Sequence, residues 1–189
     1  MGMMNIENIP YKKKYLDDIR AINVAVSSHP NRPWDEKELC RHLYIDYYAW
    51  YSSENCFVAI DRDTDEVVGY IISEPDFERY KRHMLEEYLP EAVKLREDFA
   101  ERIRNEIVPY EKWHEEYDAH LHMDVKPGYQ HQGIGTMMIR RMLQHLEEIG
   151  CKGVMLQVSK TNENANRFYE KNGLKIIDEM DSFIRAIKL

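Results

Sequence analysis

The sequence predicts an α/β fold, and three observations predict it. An alternating segment at residues 120–125 gives way to a glycine loop and then to an amphipathic helix. A second apolar strand follows that helix at residues 154–158. Two further apolar runs, residues 56–60 and 67–73, flank a charged turn and read as a hairpin. At 189 residues the chain is most simply one domain, 1–189, with room for a hydrophobic core.

Taken in order, residues 5–9 form the first expected strand, ended by Pro10. Residues 13–27 carry Leu16, Ile19, Ile22 and Val26 at helical spacing. The prolines of residues 28–33 mark a loop, and Asp35 is the expected N-cap of a second helix with Leu39, Leu43 and Tyr47 inward. Trp34, Tyr44, Tyr47, Tyr48, Trp50 and Tyr51 make this region aromatic, for which packing is the plain reading. The acidic turn 61–66 lacks the glycine and closing glutamate of a calcium loop, so it reads as solvated. Gly69, inside the next strand, marks a bulge or a close approach.

Residues 76–118 read as two helices. Phe77, Tyr80, Met84 and Tyr88 form one stripe, and Pro90 breaks it or starts the next helix. Val93, Arg96, Phe99, Ala100, Ile103 and Ile107 continue at helical spacing, with Pro109 as the expected end.

In the following strand Leu121, Met123 and Val125 alternate with His120, His122 and Asp124. Pro127-Gly128 stops it, and Gln130-His131-Gln132-Gly133-Ile134-Gly135 leads into a helix. Ile134, Met138, Met142, Leu146 and Ile149 form the apolar stripe, closed by Gly150. Glycines there let backbone N–H groups converge, and the first helical turn adds unpaired N–H groups at the positive end of the dipole. That chemistry suits a phosphate. The loop lacks the Lys-Ser/Thr of a nucleotide P-loop and the third glycine of a dinucleotide loop. Glycine needed for turn shape alone is the competing reading. The strands at 174–177 and 183–187 end the chain, joined by an acidic turn.

Gln130-x-x-Gly133-x-Gly135, after a strand ending Val125-x-Pro127, resembles the acetyl-CoA motif of the GNAT superfamily of N-acetyltransferases. Asn162-x-x-Ala165-x-x-Phe168-Tyr169-Glu170-Lys171-x-Gly173-Leu174 resembles that superfamily's second motif, in the right order and at the right distance. The resemblance is close over residues 119–189 and loose over 5–75. It implies a central mixed, mainly antiparallel sheet with a V-shaped splay between strands 4 and 5, helices on both faces, and an extra helical insertion at about 76–118. That insertion, with the His-Leu-His-hydrophobic-Asp strand of residues 120–124, is similar to acetyltransferase-like domains attached to some O-GlcNAc hydrolases. It reads as an acceptor lid or as a structural or dimer-forming hairpin.

The resemblance also implies a reaction: acetyl transfer from acetyl-CoA, as co-substrate, to a primary amine by direct attack in a ternary complex. Gln130, His131, Gln132, Gly133, Ile134, Gly135 and Thr136 would hold the pyrophosphate. Met123 and Val125 would pair with the pantetheine amides. Asn162 or Asn164 would add a hydrogen bond. Tyr169 would give a proton to the departing sulfur. The base is open between His122 and His120, the former nearer the thioester region, with Asp124 orienting a histidine or the acceptor. His-x-His lacks a third ligand set, so no metal is expected. Arginine, common at the first loop position in the family, is replaced by Gln130, and local positive charge is low. A non-catalytic CoA-binding sensor or interaction module of the same fold is the alternative.

Composition sets the remaining bounds. Hydrophobic residues at 43% and charged residues at 32% fit a globular chain. No run reaches membrane length and no signal peptide is recognisable. Net charge −8 argues against a nucleic-acid partner and agrees with a cationic acceptor. Cys40, Cys56 and Cys151 are an odd, scattered set, which points to a reducing, cytoplasmic compartment. Dimers are common in the resembled family.

Overall fold

A computed structural model describes residues 5–189. Its seven strands are β1 (Ile6–Pro10), β2 (Cys56–Asp61), β3 (Glu66–Glu74), β4 (Ala119–Val125), β5 (Gly153–Val158), β6 (Lys175–Glu179) and β7 (Phe183–Lys188). They form one sheet in the order β1-β2-β3-β4-β5-β7-β6. β4 and β5 run parallel, while the β1–β2, β2–β3, β5–β7 and β6–β7 pairs are antiparallel. The parallel pairing is confined to Ala119 with Val154 and His120 with Met155. This is the mixed, mainly antiparallel sheet expected, with the splay expected of β4 and β5.

The chain divides into two compact units, residues 1–73 with 122–145 and residues 74–121 with 146–189. In the first, β1 pairs along its length with β2, and Pro10 is its last residue rather than a breaker. Proline is tolerated there because β1 is an edge strand and Tyr11 N–H takes up the next bond, to Cys56 carbonyl, at 2.9 Å. α1 (Leu16–Val26) buries Ile19 and Ile22. The second helix begins at Trp34, one residue before the expected cap, so Asp35 lies in its first turn and Pro33 precedes it. It runs as α2 (Trp34–Arg41), a π-helical turn at His42–Asp46, and α3 (Tyr47–Tyr51). Leu39, Leu43, Ile45, Tyr47 and Tyr48 are buried, whereas Trp34, Trp50 and Tyr51 are exposed. The aromatic stretch is therefore only half packing.

β2 is buried on both faces. Its register with β3 shifts between Ala59 and Ile60, opposite Gly69 and Val67. Gly69 answers to both expectations, a bulge and a close approach. A Cβ there would lie 3.1 Å from the Met138 sulfur and 3.2 Å from the Asp124 carbonyl oxygen. α7 (Ile134–Glu148) buries Ile134, Met138, Ile139, Met142 and Leu146. Ile149 is exposed, because the helix has ended. Gly150, at φ +86°, sends its N–H back to Glu147 carbonyl, and Cys151 N–H reaches Leu146 carbonyl. That pair of bonds is a Schellman cap, open to glycine because no Cβ opposes the left-handed turn.

In the second unit, residues 76–118 are helical as expected, with different internal breaks. α4 (Phe77–Arg82) starts on Asp76, whose carboxylate accepts the Arg79 N–H at 2.9 Å. It continues through a π-helical turn at His83–Tyr88 into α5 (Leu89–Leu95), with Pro90 in the first turn. Arg96 is extended at φ −155°, so the run expected to continue through it is broken. α6 (Phe99–Trp113) then passes straight through Pro109. Pro109, Ile107 and Tyr110 are buried, and packing of that apolar face offsets the one lost helical bond. Lys112 Nζ and Trp113 Nε1 both donate to Asp178 on β6, at 2.6 and 2.9 Å. Gln157 Nε2 on β5 donates to Glu106 carbonyl at 3.1 Å. The inserted helices are thus tied to this unit's own strands. α8 (Glu163–Lys171) completes the second unit.

Candidate active site

The glycine loop belongs to the first unit. Met137 N–H makes the first helical bond of α7, to Gly133 carbonyl, at 3.0 Å. Gly133 is therefore the N-cap, and the N–H groups of Ile134, Gly135 and Thr136 precede any helical partner. Gly133 takes φ +83°, and nothing lies within 4 Å of where its Cβ would be. His131 is also left-handed, at φ +62°, a strained choice for a non-glycine residue. Two glutamines brace the loop. Gln130 Nε2 donates to Val125 carbonyl at 3.1 Å, and Gln132 Nε2 to Gly128 carbonyl at 2.9 Å. The glutamine that replaces the family's arginine holds loop shape here instead of supplying charge. Ahead of the loop, Lys126 pairs with Glu66, and the Tyr129 hydroxyl meets Glu66 at 3.2 Å and Asp61 at 3.3 Å.

The outer half of β4, residues 122–125, is half-buried throughout. His122 Nε2 lies 3.0 Å from the Tyr48 hydroxyl. Its ring meets those of Tyr44 and Tyr48 edge-on, each at 5.2 Å between centroids. Burial lowers its pKa to about 4, so the ring is neutral at physiological pH. Tyr44 and Tyr48 come from the π-helical turn and the helix just after it. Asp46 anchors that turn: its carboxylate takes Arg20 Nε at 2.8 Å and Arg20 Nη2 at 3.0 Å, and Arg41 Nε lies 3.2 Å away.

Asp124, two residues along β4, has a different setting. The Tyr70 hydroxyl donates to its Oδ2, and Asn23 Nδ2 donates to the same oxygen at 3.4 Å. Asn23 also reaches the Tyr70 hydroxyl at 3.2 Å. Burial raises the carboxyl pKa to about 6, against the pull of those two donors. Asp124 is joined to no histidine by these bonds; its partners are a tyrosine and an asparagine. A carboxylate at about 6 is a workable proton acceptor near neutral pH. His122, at about 4, is a poor one. Tyr70, Asn23 and Tyr48 escaped the sequence reading; only the aromatic density around Tyr48 hinted at one of them.

The second unit carries the other expected residues. His120 is buried, stacked on Tyr110 at 4.2 Å and edge-on to Tyr80 at 4.6 Å. Asn162 is the N-cap of α8, its side-chain oxygen accepting Ala165 N–H at 3.1 Å. Asn164 accepts from Arg167 Nη2 at 2.7 Å on the exposed face. Tyr169 is the buried residue of α8. Among the described residues no group of three or more His, Cys, Asp or Glu is arranged to hold a metal ion. No described helix is long and apolar enough to cross a membrane.

Comparison with known proteins bears on the fold and the family. The chain is similar to the spermine/spermidine N(1)-acetyltransferase of Bacillus subtilis (strain 168), 35% identical over 54 residues, which are 28% of this chain and 36% of that protein. The match spans about a third of the length of that relative. Among solved structures, SsHAT superposes with a TM-score of 0.82 at 22% identity, covering 97% of this chain and 98% of its own. The Drosophila melanogaster polyamine N-acetyltransferase gives 0.65 at 13% identity, over 98% and 99% of the two chains. At such identities the likeness is one of fold. The model of the acetyltransferase (GNAT) family matches residues 23–174, most of the chain, and the chain belongs to that family.

Proposed function

We propose that the protein transfers the acetyl group of acetyl-CoA to a primary amine by direct attack. The observation that carries this reading is the loop. Left-handed Gly133 opens the N-terminus of α7, and the first-turn N–H groups of Ile134, Gly135 and Thr136 have no helical partners. Family membership supports acetyl-CoA as the anion bound there. When bound, it supplies an activated thioester; the chain's own residues handle position and protons. Met123 and Val125 are the strand positions assigned to the pantetheine amides. The Val125 carbonyl accepts one hydrogen bond, from Gln130 Nε2 at 3.1 Å.

Asp124 is the proton acceptor in this reading, in place of a histidine. One proton passes from the ammonium to Asp124. The freed nitrogen lone pair forms the bond to the acetyl carbon, and the carbon–sulfur bond breaks. The second nitrogen proton, released as the amide forms, balances the one given to the sulfur. Tyr169 is assigned that last donation on its family motif. His122 contributes as a neutral hydrogen-bonding ring. Asp124 and the surrounding tyrosines favour a cationic acceptor. The polyamine activity of two similar proteins supports the same class.

Isothermal titration with acetyl-CoA, followed by mass spectrometry of reactions with spermidine, 1,4-diaminobutane, phenylethylamine and a lysine peptide, tests the proposal. Saturable binding and an amide product 42 Da heavier, the mass of an acetyl replacing a proton (~42), are expected. Binding without any product would favour a CoA sensor, and absence of binding would remove the loop assignment.

A further inference from the structure

Among the described residues, the donors to Asp124 converge on one of its two oxygens. Both of its donors, the Tyr70 hydroxyl on β3 and Asn23 Nδ2 on α1, point at Oδ2. Asn23 in turn holds the Tyr70 hydroxyl at 3.2 Å, closing a three-membered ring of polar groups. Tyr70 is buried, and its β3 neighbour Gly69 lets the Asp124 backbone and Met138 approach closely. The surroundings of Asp124 carry little charge. On its own strand, His122 is engaged with Tyr48 and Lys126 with Glu66; from β3 comes Tyr70, from α1 Asn23, and from α7 the apolar Met138. Arg20 of α1 is committed to Asp17 and Asp46.

We propose that Tyr70 and Asn23 are positioning residues for the reaction: by holding Oδ2 they fix the Asp124 carboxylate and leave Oδ1 as the oxygen that takes the amine proton. The proposal rests on the reading of Asp124 as proton acceptor. A carboxylate with one oxygen saturated by neutral donors keeps a defined direction for its remaining lone pairs. Neutral donors also stabilise the ionised form without pairing it to a fixed cation, so the carboxylate remains a base. An arginine in the place of Tyr70 would hold it ionised and too weak to take a proton.

The test uses Tyr70→Phe and Asn23→Ala in the full chain, with two readouts. The first is the carbon-13 resonance of the Asp124 carboxyl, assigned with Asp124→Asn and followed from pH 4 to pH 8. The second is the rate of spermidine-dependent or phenylethylamine-dependent acetyl transfer over the same range, with acetyl-CoA affinity measured by titration. Each variant loses a donor to the carboxylate, so its midpoint is expected to move upward from about 6 by roughly half a unit to one unit. The acidic limb of kcat is expected to move with it, while acetyl-CoA affinity stays within about twofold. An unmoved carboxyl midpoint in both variants overturns the positioning role and leaves Asp124 as base untouched. A moved midpoint with an unchanged rate profile, or wild-type turnover in Asp124→Asn, overturns the base reading and with it this proposal. Asn23→Ala stands in should loss of the buried Tyr70 hydroxyl prevent folding.

Discussion

Two aspartates of the first unit, the buried Asp46 and the half-buried Asp124, sit in opposite electrostatic settings. Asp46 sits on a π-helical turn between two arginines, Arg20 and Arg41. Asp124 sits on the half-buried end of β4 between two neutral donors. The Asp46 pair is a cross-link. The hydrogen bonds that Arg20 donates to this carboxylate hold the guanidinium pKa above its ordinary value, as each charge favours the other. The environment of Asp124 does the reverse: burial opposes its charge, and its partners among the described residues are neutral. A carboxylate whose charge is matched serves structure. One whose charge is resisted is suited to proton transfer.

Removing each carboxylate breaks or sharpens that contrast. Asp46→Asn leaves Arg20 and Arg41 facing a neutral amide, and the expected loss of stability is about 3 kcal/mol, at the low end for a buried pair because both arginines keep some access to water. Urea unfolding at pH 7.5 measures it. Its acetyl-CoA affinity is expected to survive in the folded fraction.

Asp124→Asn should do the opposite. The folded pKa of about 6 lies above the unfolded value near 4, so the native state binds this proton more tightly. The stability this proton contributes is fully present below about pH 4 and lost as pH rises through about 6. At pH 7.5 the variant is therefore expected to be more stable than the parent by on the order of 2 kcal/mol. The gain should shrink as pH falls toward 4. The same denaturation curves, run at pH 7.5 and pH 5, check the sign.

The smallest expected effect separates Asp124 from its strand neighbour. His122→Gln keeps a hydrogen-bonding group opposite Tyr48 and is expected to cost less than about tenfold in kcat. The acidic limb of the rate profile should stay near 6, the Asp124 value. A wild-type limb near 4 would point to His122 instead, given where burial places its pKa.

The elements that the sequence displayed are those built from local chemistry. The glycine loop, the charged hairpin turn and the helical stripes each depend on residues a few positions apart. So the strand–loop–helix passage and the two family motifs are legible in the sequence alone. Boundaries set by packing were not. Pro109 reads as a stop, yet α6 continues because Ile107 and Tyr110 bury the same face. Ile149 reads as the end of the stripe, yet the Schellman turn lifts it out. The partners of Asp124 lie 54 and 101 residues away in sequence, and neither carries a motif. The choice of a histidine as base followed from the ordinary pKa of imidazole. It did not anticipate that burial moves His122 and Asp124 in opposite directions, until the carboxylate is the stronger base.

One rate tests the role of Asp124 most directly. Turnover of Asp124→Asn is to be measured at pH 7.5 with saturating acetyl-CoA and the best amine of the panel, alongside acetyl-CoA affinity. A fall in kcat of about a hundredfold or more with unchanged affinity is the predicted result. Wild-type turnover in that variant would contradict it.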